Sequence, residues 1–329
     1  MRRMFPRILT CLTVLLLCLP AFAKAGETLP GERVLYTAVT ATTPQIPLWA
    51  AINAGWPGHS ALTVEYWKTL DDLRGVMLAG KGDIWVGHLE GFAQAALRGA
   101  PVTLLAVTGW KKFYFLGPKT SPATDMETLA AELRQANLPL ALAPQDSPAL
   151  AILENIKQRG GPNFAIAAMQ PQQLMLETLR GARRYALLPE PLVSTLLAKQ
   201  PQIRIVAGLE EEYARLHGGQ ARMPLVGVAV NTHFAEREPE TVRRLLTAMQ
   251  DQAVRLAASP EAAIAALPKT VRNSVGEETI RTSLPRDLIC AVPATDAKEE
   301  IAAFLRMVLP QTDPARLDSL LEGPFLFGR

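Results

Sequence analysis

The chain has 329 residues, enough for two domains of ordinary size at about 100–200 residues each. Its 34 lysines and arginines exceed its 31 acids by three, and Arg2, Arg3 and Arg7 supply that whole excess, so the remainder balances at 31 against 31. Without a basic surplus, neither nucleic acid nor an anionic membrane surface is an expected partner.

The three arginines open a basic stretch that is followed by an apolar run, Ile8 to Leu19, then Pro20 and the small-x-small triplet Ala21-Phe22-Ala23. This is the grammar of a secretory signal peptide, cleaved after Ala23 with Ala25 as the alternative site. The run is shorter than the roughly 20 residues that a bilayer span needs. The opening partly resembles a twin-arginine signal, but the Leu-rich core favours the general secretory route. Cys18 lacks the small residue that would precede a lipoprotein cysteine. Residues 1–23 are therefore expected to be removed and the protein to work in the periplasm. Cys11 and Cys18 leave with the signal, so Cys290 stands alone and no internal disulfide is expected.

Beyond the signal, apolar runs of strand length alternate with helical patterns, which predicts an α/β protein of parallel sheets covered by helices. Strands are predicted at 33–39, 61–67, 83–88 and 101–110, with helices from Pro47, Leu70 and Leu89 between them. The same alternation then repeats, with extended segments at 113–118, 138–144, 163–169, 185–190 and 202–208. Helices are expected at 125–135, at 147–158 (where Ser147 would cap and Pro148 take the first turn) and after Gln170 and Pro191. Residues 223–231 read as a last strand, and from there the chain reads as almost wholly helical. Two α/β units and a helical tail predict two lobes with a ligand cleft at the carboxyl ends of the strands.

Motifs of catalysis are missing. No phosphate loop occurs, and "GKGDIWVG" has the wrong spacing for a dinucleotide fingerprint. "GHSAL" lacks the last glycine of a nucleophile elbow, and its serine precedes a strand. His59, His88, His217 and His233 are scattered without metal-ligand spacing. No catalytic residue, metal or cofactor is assigned, and binding is favoured over catalysis.

Five segments, in order, resemble the nitrate/sulfonate/taurine group (NitT/TauT-like) of periplasmic substrate-binding proteins of ABC importers, a group that includes binders of thiamine-pyrimidine precursors. They are "PLWAAINAGW", "LAGKGDIWVGHLEGFAQAALRGAPVTLLAV", "LALAPQDSPALAILENI", "LRGARRYALLPEPLVSTLL" and "HFAEREPETVRRLLTAM", together spanning roughly 34–256. The family often has Asp where this chain has Arg183 or Arg184. The resemblance implies a two-lobed fold of the type II periplasmic-binding-protein kind with a helical C-terminal region. It places lobe I at 24–110 and 231–329 and lobe II at 111–230. It also implies a monomeric receptor that closes around a small organic solute (sulfonate-, taurine- or aminopyrimidine-like) and hands it to an ABC membrane permease. An exported enzyme using cleft carboxylates, or a ligand-sensing partner of a membrane signalling protein, are the alternatives.

Candidate ligand contacts follow from the strand-end rule. Thr42, Thr43 and Gln45 lie in the loop after the first strand and offer hydroxyl and amide groups, with helix capping as the alternative role. His88 and Glu90 end the third strand. Trp110 ends the fourth beside the crossing, where it either stacks on a ring or packs the hinge. Asp146 and Ser147 begin a second-lobe helix whose free N–H groups suit an anion. Glu190 precedes Pro191 at the end of a strand. Lys68 and Lys111 are the nearby cations and no arginine falls in a predicted cleft loop, which argues against an inorganic anion and for a neutral ring or a cationic end.

Overall fold

A computed structural model of the chain describes residues 32–56 and 61–328. The export signal, its cleavage site, Cys11, Cys18 and His59 lie outside the described residues. Eleven strands appear among the described residues: β1 Glu32–Thr37, β2 Ala61–Tyr66, β3 Ile84–His88, β4 Val102–Gly109, β5 Phe113–Pro118, β6 Leu140–Leu142, β7 Ile166–Ala168, β8 Ala186–Pro189, β9 Ile203–Gly208, β10 Val226–Asn231 and β11 Val292–Pro293. They form a six-stranded sheet, ordered β11-β4-β10-β3-β1-β2, and a five-stranded sheet, ordered β7-β6-β8-β5-β9.

The central strands read as apolar runs because both their faces are covered: all eight residues of β4 and all six of β10 are buried. Local signals also work at the helices. Thr69 and Asp72 form a reciprocal capping box on Leu70–Leu78, as Asp125 and Thr128 do on Met126–Ala136, which ends at Asn137 in the left-handed region.

Two expectations need correction. The sheets are mixed, not parallel: β10 runs antiparallel to β3 and β4, and β5 runs antiparallel to β8 and β9. β11 also runs antiparallel to β4, as an edge strand from the tail, whereas β5 and β10 stand at the crossings between the sheets. A strand delivered from the other sheet has no helical crossover to set its direction, so it is free to enter antiparallel. The pairing of β10 also puts Val226–Val230 in the six-stranded sheet, although the sequence boundary at 230 assigned them to the second lobe.

The tail is helical, as expected, over Pro239–Leu256, Pro260–Ala266, Glu277–Ser283, Lys298–Val308 and Pro314–Glu322, and it contributes β11 as an edge strand beside β4. Helix Leu209–His217 was not anticipated, and within the helical tail neither Thr232–Arg237 nor Lys269–Val275 was singled out. Leu209–His217 hides for a physical reason: its buried residues are Leu209, Glu210 and Glu212, so its inward face carries carboxylates and shows no apolar period.

Candidate functional site

The carboxyl ends of β1 and β3 from one sheet, and of β8 and β9 from the other, converge where the chain crosses from β4 to β5. Close packing sets this junction. A Cβ on Gly109 would meet Val226 Cβ at 2.8 Å and Pro44 Cγ at 3.0 Å, so glycine lets the 42–45 loop sit directly on β4 and β10. The two crossings are tied together: Trp110 carbonyl accepts from Met223 N at 2.8 Å, and the Arg222 guanidinium lies 4.3 Å over the Trp110 ring. Arg222 also makes a two-toothed ion pair with Glu300 of the C-terminal helices, at 2.9 and 3.0 Å.

At the centre is Lys112, half-buried. Its Nζ donates to His88 Nε2 at 3.4 Å, and His88 Nδ1 lies 3.2 Å from Glu90 Oε1. An ammonium can only donate, so His88 accepts through Nε2 and carries its proton on Nδ1, directed at Glu90. Burial pushes the Lys112 pKa down, and the carboxylates of Asp287, Glu90 and Glu210 pull it back.

Glu210 stands in the first turn of Leu209–His217 and is 1% exposed. Its Oε1 accepts from the backbone N–H of Lys112 and Phe113, while Oε2 has no partner. Burial raises this carboxyl to about 8 despite those donors. Asp287, from the C-terminal region, is raised to about 7, again chiefly by burial; the Leu288 N–H, the Thr43 hydroxyl and Lys112 favour its charged form. Tyr114 sits beside both acids, donates to the Arg286 carbonyl at 2.5 Å and is held protonated by burial.

Glu190 is fully engaged. It is 5% exposed, pairs with Arg286 Nε at 2.6 Å, and accepts from the Ser194 N–H and hydroxyl at 3.1 Å each. Arg286 Nη2 also donates to Ser194 Oγ at 2.5 Å.

Of the sequence candidates, Thr43, His88, Glu90 and Glu190 meet at this junction. Thr42 is buried beside Thr43 and its side chain makes no capping bond. Gln45 spends its amide inside its own loop: Oε1 accepts from Thr37 and Trp49, at 2.8 Å each, and Nε2 donates to the carbonyls of Ala38 and Ala41. It offers no free group to a solute. Trp110 is wholly buried under Arg222, which makes it a packing residue of the crossing. Asp146 is exposed. Ser147 does not cap: the helix is Ala149–Gln158, Pro148 takes the cap position, and Ser147 is drawn into a turn by its own N–H to the Pro144 carbonyl. Its hydroxyl is buried and unpartnered.

Sequence reasoning missed Lys112, Tyr114, Glu210, Arg286 and Asp287. It chose Lys111, which instead pairs with Glu211 at 2.6 Å. It also counted no arginine near the cleft, and Arg286 overturns that count, arriving from the tail already bound to Glu190. A shallow surface groove lined by Glu127, Arg134 and Gly160 to Asn163 shares no residue with the cluster.

No family model and no curated protein matches the sequence. Solved structures do match. The chain is similar to an ABC transporter protein from Parabacteroides distasonis, at 16% identity over 90% of this chain and 96% of that one, with a TM-score of 0.66. It is similar to the periplasmic nitrate-binding protein NrtA from Synechocystis PCC 6803 (14%, 89% and 85%, TM-score 0.67). It is also similar to the periplasmic aliphatic sulphonate binding protein SsuA from Escherichia coli (15%, 89% and 87%, TM-score 0.63). At these identities the likeness is one of fold: two α/β lobes of the periplasmic-binding-protein kind with a helical C-terminal region.

Proposed function

We propose that this chain is an extracytoplasmic solute-binding receptor of the nitrate/sulfonate/taurine type, exported to the periplasm by its N-terminal signal. It captures one small organic solute by lobe closure and delivers it to an ABC permease. The observation that carries this reading is the convergence of strand ends from both sheets on one set of polar side chains, the place where open α/β folds take ligands. Its fold neighbours, named as nitrate- and sulphonate-binding proteins, support the same reading. Lobe I comprises 24–110 and the chain from β10 onward; lobe II is the segment between. A solute touching both lobes binds the closed form better and so shifts the population toward it.

The role is capture, not catalysis. The solute class is sulfonate-, taurine- or aminopyrimidine-like, with Thr42, Thr43, His88, Glu90 and Ser147 as contacts, joined by Lys112 and Asp287. Binding at 100 times Kd stabilises a protein by about 2.7 kcal/mol, so a thermal-shift screen over sulfonates, amino acids and pyrimidines tests the proposal. A stabilising solute that also compacts the protein in small-angle scattering supports it. Turnover of that solute, abolished by Asp287→Asn, would replace the receptor with an enzyme.

A further inference from the structure

Resting on the receptor reading, we infer that the solute carries a positive charge, a protonated amine or an amidinium, which this junction holds between Asp287 and Glu90 where a receptor for nitrate or a plain sulfonate would present a surplus of cations. Glu190 and Arg286 neutralise one another at 2.6 Å, and Lys111 and Glu211 do so at the rim. What remains is a single ammonium, Lys112, within reach of the charges of three acids: Glu90, Glu210 and Asp287.

Backbone N–H groups of Lys112 and Phe113 serve Oε1 of Glu210; its Oε2 has no partner, and the carboxyl, raised to about 8 by burial, holds its proton at neutral pH and so adds no full charge to the count. Glu90 has His88, a neutral donor through Nδ1–H, and its Oε2 is buried without a partner. Asp287 has only the Thr43 hydroxyl and the Leu288 N–H as neutral donors. Lys112 can balance one of these two acids, and the other is left without a counter-charge in a half-buried setting, where an unmatched carboxylate is costly. Asp287 is raised chiefly by burial, with the Glu190 charge adding to it and Lys112 opposing it, so its charged form is left short of support. An incoming cation removes the shortage. An incoming anion deepens it, and the arginines at the junction, Arg286 and Arg222, are already paired with Glu190 and Glu300.

The test is isothermal titration of the purified protein with acetamidine, benzamidine and agmatine on one side and nitrate, ethanesulfonate and benzenesulfonate on the other, each also followed by thermal shift. The expected result is binding confined to the cationic probes. Asp287→Asn should weaken it about tenfold or more, and Lys112→Gln should tighten it, because removing the competing ammonium leaves both acids free. A purely structural role for Lys112 predicts the opposite, a loss. Binding of the anions and not the cations overturns the inference and leaves the receptor reading intact. Binding of neither set, together with the absence of any stabilising solute in the broader screen, overturns both. Cation binding that is indifferent to both substitutions places the solute elsewhere and overturns the inference.

Discussion

Two carboxylates, buried Glu190 and half-buried Asp287, lie within reach of each other's charge at the junction, and their surroundings differ in kind. Glu190 has a guanidinium, a hydroxyl and a backbone N–H arranged around it, and every one of those partners belongs to the protein. Asp287 shares one lysine with Glu90 and Glu210, and burial leaves it titrating near neutrality. A closed set of partners marks a structural site, since nothing from outside is needed to complete it. An open set marks a place prepared for an addition.

The largest expected effect comes from breaking the closed set. Arg286→Met strands an almost fully buried carboxylate and should cost about 3 kcal/mol, read as a lower Tm and denaturant midpoint. Replacing both partners, Glu190→Gln with Arg286→Met, should recover much of that loss; if the double variant is as unstable as the single, the pairing is not what matters there.

The open set predicts a pH dependence. Glu210 and Asp287 have folded pKa values raised from 4.5 to about 8 and from 3.8 to about 7, so the folded state binds more protons than the unfolded one across those windows. Their contribution is fully present below about pH 4 and is lost as pH rises to 7–8. Glu210→Gln should therefore flatten the decline in stability between pH 5 and 8 and raise stability at pH 8 by roughly 1–2 kcal/mol. An unchanged profile would show that Glu210 stays ionised throughout.

A smaller effect is expected at the crossing that frames both sites. Arg222→Met removes the stacking on Trp110 and the paired bonds to Glu300, for about 1 kcal/mol. It should also widen the protein in small-angle scattering if this clamp restrains the lobes. The smallest is at Ser147, whose hydroxyl has no partner. Ser147→Ala should raise stability slightly, by about 0.5 kcal/mol, because a buried hydroxyl without a partner carries its desolvation cost, so any loss of solute affinity in that variant reports direct contact.

The fold was legible because its strands are apolar runs covered on both faces, and each strand expected between 33 and 231 occurs, with ends shifted by a few residues. Their direction was not legible, since the antiparallel entry of β5 and β10 depends on which sheet delivers each strand. Strand-end reasoning found Thr43, His88, Glu90 and Glu190 because position along the chain announces a strand end. It could not find Asp287, which comes from the helical tail, or Glu210, which sits on a helix disguised by its own buried acids. Lys112 was lost to its neighbour: nothing in the pair Lys111-Lys112 says which ammonium turns toward His88 and which toward Glu211.

Gly109 of β4 pairs with Val226 of β10, and the ladder continues as Leu225 N donates to the Gly109 carbonyl and Met223 N to that of Trp110. Two neighbouring antiparallel strands with matched ends are what a hairpin turn joins. The whole five-stranded sheet, β5 to β9, is contiguous in sequence and occupies the position of that turn. The five-stranded sheet is thus a domain-sized insertion at a hairpin tip, and a short turn in place of residues 111–222 would leave the six-stranded sheet with all of its strands.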